Sequence, residues 1–86
     1  MVQKEQLRQL REVKAAHESD LMRKANVVGV GIGFRKRGQK LTDEVAIIVS
    51  VTHKVPLPQL DPDDVIPREL DGLPVDIQAV GELRAF

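Results

Sequence analysis

The chain has no cysteine, tryptophan or tyrosine, only two phenylalanines, and no excess charge of either sign. Without thiols there is neither a disulfide framework nor a thiolate metal site, which fits a reducing compartment. Two aromatic residues in 86 leave no stacking platform for bases and force the core to be built from Val, Leu and Ile. Thirteen basic residues balance thirteen acidic ones, so no global field draws the chain to nucleic acid or an anionic membrane. Long apolar runs are missing too. No stretch approaches the ~20 residues a membrane helix requires, and Met1 to Arg11 is polar where a signal peptide carries its apolar segment. The expected setting is cytoplasmic and the expected organisation a single domain over residues 1–86. A domain this small buries roughly 60% of its unfolded surface, so association with a partner or a second copy would add materially to its stability.

What is present begins with Asn26-Val27-Val28-Gly29-Val30-Gly31-Ile32-Gly33-Phe34. Read at period two, this is a strand with Val28, Val30, Ile32 and Phe34 on one face and Gly29, Gly31 and Gly33 on the other. Glycine weakens a strand interior, so three at alternate positions point to something that approaches the backbone closely. The candidates are a packed helix, a partner or a ligand, and a packed helix is the expected occupant.

Val2, Leu7, Leu10, Val13, His17, Leu21 and Ala25 share one sector at about 100° per residue, predicting an amphipathic helix over residues 3 to 25. Its outer face carries both signs, with Arg8 four residues before Glu12 and Asp20 four before Lys24. Each such pair contributes only ~0.2–0.5 kcal/mol. Asn26 is placed to end the helix, and a first strand is predicted from residue 27 to about 36. Arg37-Gly38-Gln39-Lys40 reads as a hairpin loop. A second strand, apolar on both faces in its middle, is predicted from about 44 to 55. Pro56 and Pro58 stop it. Asp61-Pro62-Asp63-Asp64 has the form of a helix start with Asp61 as N-cap, and Pro67 keeps the segment short. Asp71-Gly72 is a turn. Val75, Ile77 and Ala79 then alternate with Asp76, Gln78 and Val80 as a third strand, followed by a tail at 82–86.

The expected fold is therefore α+β. The N-terminal helix packs on a three-stranded, mainly antiparallel sheet in α-β-β-α-β order, with the short helical segment before the last strand. A hairpin and a right-handed crossover would set the last strand antiparallel beside the first. The first strand is then central, its glycines lie under the helix, and Val28, Val30, Ile32 and Phe34 form an apolar face in search of cover.

Asn26-Val27-Val28-Gly29-Val30-Gly31-Ile32-Gly33, followed by Ala46-Ile47-Ile48-Val49-Ser50-Val51, Lys54, Ile66-Pro67 and Asp71-Gly72-Leu73-Pro74-Val75-Asp76-Ile77, resembles a bacterial module found ahead of trypsin-like serine peptidase domains. The resemblance covers residues 26 to 81. It implies an accessory, leader-like or stand-alone relative of that module. In such proteins the nucleophile, histidine and aspartate belong to the peptidase part, beyond the segment resembling Val80-Gly81-Glu82, so no catalytic role passes to any residue here.

Read from the residues themselves, no chemistry assembles. A triad from Ser19 or Ser50 with His17 or His53 needs a nucleophile exposed at a strained turn and a hydrogen-bonded base; Ser50 is predicted mid-strand and Ser19 on a helix. Asp61, Asp63 and Asp64 lack the glycine and distal glutamate of a calcium loop. The glycines are spaced two and two inside a strand, unlike a dinucleotide fingerprint. Arg35-Lys36-Arg37 with Lys40 is the one basic cluster, where a phosphate backbone would have to bind. The expectation is a non-enzymatic module without cofactor or metal, associating with itself or with a peptidase-like protein through Val28, Val30, Ile32 and Phe34. The alternatives are a leader-like inhibitor or folding aid of a peptidase, and a weak nucleic-acid binder through residues 35–40.

Overall fold

The computed structural model describes residues 4–81; the tail expected at 82–86 lies outside them. Along the chain come α1 (Lys4–Met22), β1 (Val27–Arg37), β2 (Lys40–Val51), two 3₁₀ turns (Leu57–Gln59 and Pro62–Asp64), β3 (Glu69–Leu70) and β4 (Leu73–Ala79). The fold is α+β, with one helix and a four-stranded mixed sheet in the order β1-β2-β4-β3.

The helix forms where its apolar stripe predicts, ending at Met22 instead of continuing to 25. Leu10 and Leu21 are fully buried and Val13 packs beside them. Its solvent side is laced by Arg8 with Glu5 and Glu12, Lys14 with Glu18, and Arg23 with Asp20. The guanidinium of Arg8, hydrogen-bonded to Glu5 and beside the charge of Glu12, is held above its usual range. Asp20 thus takes Arg23 and leaves Lys24 free to donate to the carbonyl of Asp63 at 2.7 Å. Asn26 adopts a left-handed φ of 69°, turning the chain into β1.

The last strand overturns the expected topology. β4 runs parallel to β2, pairing Ile47 with Val75 and Val49 with Ile77, so β2 is central and β1 lies at the edge. The physical reason is legible in β2: Ala46 and Ile47, on opposite faces, are both 0% exposed, as befits a strand flanked on both sides. The crossover also differs. Pro56, Pro58, Pro62 and Pro67 hold residues 52–72 in extended stretches and two isolated 3₁₀ turns, with no α-helix and no side-chain cap from Asp61. That path returns along the sheet to start β4 beside β2. A fourth strand, β3, comes from the Asp71-Gly72 turn, where φ values of 49° and 82° give the two positive-φ positions that a tight hairpin loop requires. Leu70 pairs with Leu73 and Glu69 with Pro74. At the other hairpin, Gly38 (φ 64°) leads a two-residue loop, shorter than expected, because the strands extend to Arg37 and from Lys40.

The core gathers Leu10 and Leu21 from α1, Val45, Ile47, Val49 and Val51 from β2, and Val75 from β4, with Val30, Ile32, Ile66, Leu70, Leu73 and Ile77 packed against it. Helix and crossover thus share one side of the sheet, and this is the aliphatic side. The expected helix-packing role of Gly29, Gly31 and Gly33 is therefore wrong. They share the opposite face, where a Cβ on Gly29 would meet Ser50 at 3.8 Å, one on Gly33 would meet Ile48 at 3.1 Å, and one on Gly31 would meet nothing within 4 Å. The larger aliphatics win the helix because burying them releases more water-exposed apolar surface, at about 25 cal/mol per Å².

Two irregularities adjust β1. Val27 faces Val51 and Gly29 faces Ser50, so Val28 is an extra, bulged residue and Val27 takes the core side in its place. Further along, Phe34 faces Val45 while Lys36 faces Leu41, leaving residues 42–44 opposite Arg35. There the Thr42 hydroxyl donates to the Arg35 carbonyl at 2.8 Å and accepts the Glu44 N–H at 3.2 Å, replacing ladder bonds that the irregularity removes.

Gly33→Val should cost about 1–3 kcal/mol through crowding against Ile48, whereas Gly31→Ala should stay within about 0.5 kcal/mol of wild type; urea unfolding of both variants measures the contrast. Leu10→Ala should lose ~2–5 kcal/mol in the same assay.

Candidate functional site

The face opposite the helix carries Gly29, Gly31 and Gly33 from β1, Ala46, Ile48 and Ser50 from β2, and Asp76 and Gln78 from β4. With three positions bare of side chain, the long β1-β2 hairpin curls over this face. Gln78 and Asp76 thereby reach past β2 to β1: Gln78 Nε2 donates to the Phe34 carbonyl at 3.3 Å, and the Lys36 N–H donates to Asp76 Oδ2 at 2.8 Å. A further bond of 2.9 Å from Gln78 Nε2 to the same Asp76 oxygen locks the pair.

The direction of these bonds matters. The Arg35 carbonyl is bonded by Thr42 of β2, so by strand alternation the polar groups of Phe34 and Lys36 point away from β2. Asp76 and Gln78 therefore cap the outer edge of β1 at its far end. The edge groups of Val30 and Ile32, and the Phe34 N–H, belong to the same outward set and have no partner strand among the described residues.

The four residues expected to form one docking face are split by this geometry. Val30 and Ile32 pack against the monomer's own core, Val28 is bulged, and Phe34 remains 46% exposed. An apolar face seeking cover is thus corrected to a strand edge with one exposed aromatic. Sequence reasoning missed Asp76 and Gln78 as edge caps; alternating polar residues on a strand otherwise flanked by Val75, Ile77 and Ala79 are the signal that was there to find.

The other candidates fall as follows. His17 lies 3.1 Å from Asp71 Oδ2 and His53 3.1 Å from the Thr52 hydroxyl; neither meets Ser19 or Ser50. Among the described residues no three His, Asp or Glu side chains converge on a metal-sized site, and no helix is long and apolar enough to cross a membrane. In the basic hairpin Arg35 and Arg37 lie 3.2 and 3.6 Å from Glu44, which draws two of its four cations away from a phosphate. Asp64 Oδ1 accepts the Ala25 N–H at 3.0 Å, so with Lys24 and Asp63 it fastens the helix exit to the crossover.

Helix, mixed sheet and capped edge define a small α+β domain. The chain belongs to the NARROW LEAF 1 N-terminal domain family, which it matches over residues 2–80. No curated protein matches it.

Removing the cap should free the end of β1. Asp76→Ala should raise the amide exchange rate of Lys36 at least tenfold and lower stability by ~1–3 kcal/mol, read by hydrogen exchange and urea unfolding.

Proposed function

We propose that this domain is a non-enzymatic protein-interaction module that associates through the outer edge of β1, with a second copy of the chain as partner. The observation that carries the reading is the edge itself: an eleven-residue strand with no charged side chain from 27 to 34 and, among the described residues, no strand beyond it. Such an edge is a template for another strand.

Self-pairing satisfies its chemistry. Two antiparallel β1 strands centred on Gly31 set Val30 opposite Ile32, whose outward backbone groups exchange hydrogen bonds, and bring Val28 opposite Phe34. Arg35, Lys36 and Arg37 then fall opposite residues 27, 26 and 25, none of which is charged. Like charges do not face one another. Joining the two edges extends the sheet across both copies and brings Phe34 under cover. A trypsin-like peptidase that presents a strand would use the same edge, which is how the accessory role implied by residues 26–81 would be carried out. Membership of a family of N-terminal domains supports an adaptor reading.

Phe34→Lys places a charge on the edge without entering the core. Sedimentation equilibrium across micromolar concentrations should show dimeric wild type and a monomeric variant of unchanged circular dichroism. A monomeric wild type removes the self-pairing; equal masses for the two proteins move the interface away from β1.

A further inference from the structure

We infer that the groove along the outer edge of β4 binds an extended acidic peptide by strand addition. This edge is separate from β1 and the inference does not depend on pairing there. Val80 donates its N–H to Val51 of β2 at 2.8 Å, while Val75 donates in the other direction, to Arg68, at 2.9 Å. Alternation therefore turns the backbone groups of Ile77 and Ala79 away from β2. β3 pairs only with Leu73 and Pro74, so among the described residues no strand lies beside the edge at Ile77 and Ala79.

Two clefts border that edge, and Ile77 and Lys54 line both. One, of about 460 Å³, runs between residues 77–79 and the β1-β2 hairpin, with Lys36 on its wall. The other, of about 270 Å³, has a floor that includes Val51, Leu60 and Ile66, with Arg68 at its rim. The second is smaller than the ~300–1,000 Å³ typical of small-molecule sites. It suits an inserted aliphatic side chain better than a whole cofactor.

Charge selects the peptide. Lys36, Lys54 and Arg68 have no carboxylate within ion-pair distance among the described residues. The acidic groups on these walls are engaged: Asp76 accepts the Lys36 N–H and Asp64 accepts the Ala25 N–H. A row of cations beside a free strand edge and an apolar cleft matches a strand that alternates carboxylates with aliphatic side chains. Its backbone would pair with Ile77 and Ala79, its carboxylates would face the three cations, and one aliphatic side chain would enter the smaller cleft.

The test uses a capped, fluorescein-labelled decapeptide of alternating Leu and Glu, and its counterpart with Lys in place of Glu. Anisotropy should show binding of the Glu peptide only, weakening as salt rises. Amide shifts should map to Ile77 and Ala79. Combined Lys54→Glu and Arg68→Glu should weaken binding at least tenfold with the circular dichroism unchanged, and Phe34→Lys should leave it unaltered. Equal binding of the two peptides, binding of neither, or shifts at Val30 and Ile32 in place of Ile77 and Ala79 would overturn the assignment; because the mapping is done on wild-type protein, a variant that fails to fold does not obscure the result.

Discussion

Burial of four alternate side chains in the second half of β2 is the constraint from which the other features follow. Val45, Ile47, Val49 and Val51 are each at most 5% exposed, and no single element of this short chain is wide enough to cover them. Leu10 and Leu21 of α1 cover part, while Ile66 and Leu70 of the crossover and its hairpin cover the remainder. At about 25 cal/mol per Å² of apolar surface, this packing outweighs the exposed ion pairs of the helix, whose contributions sit near 0–1 kcal/mol each. Once β2 is committed to the middle, β1 and β4 flank it.

The glycines of β1 then acquire a different meaning from the one their spacing suggests. They leave room not for a helix but for the sheet itself to coil, until Asp76 and Gln78 reach a strand two places away. Only Gly33 is crowded, against Ile48; Gly31 faces open space. The cap protects one end of the β1 edge and leaves the middle available. If β1 pairs as proposed, a guarded end and an open middle confine that pairing to a short, register-specific segment, which favours a defined complex over indefinite stacking.

The helix was legible because 3.6-residue periodicity and burial agree at Leu10, Val13 and Leu21, and the first two strands because β-branched residues alternate over long runs. Topology was not, because it turns on competition. Alternation in β1 marked an apolar face correctly at Val30 and Ile32, but two unlike faces do not announce which one the helix will take. The bulge at Val28 shifted parity invisibly, since Val27 and Val28 are the same residue type. β3 is two residues long, too short for any period, although Asp71-Gly72 marked its turn. On the surface, the basic run at 35–37 was visible, yet its partial neutralisation by Glu44 depends on an irregularity that brings residue 44 alongside.

The parallel pairing of β2 with β4 also has a consequence for the order in which the chain comes together. α1, β1 and β2 are adjacent along the sequence and meet through short connections, whereas β4 must close a loop of residues 52–72 before its first bond to β2 rewards it. During synthesis the N-terminal half emerges first. Until β4 docks, the second flank of β2 lacks its partner strand, so closing the loop of residues 52–72 is the step that completes the sheet.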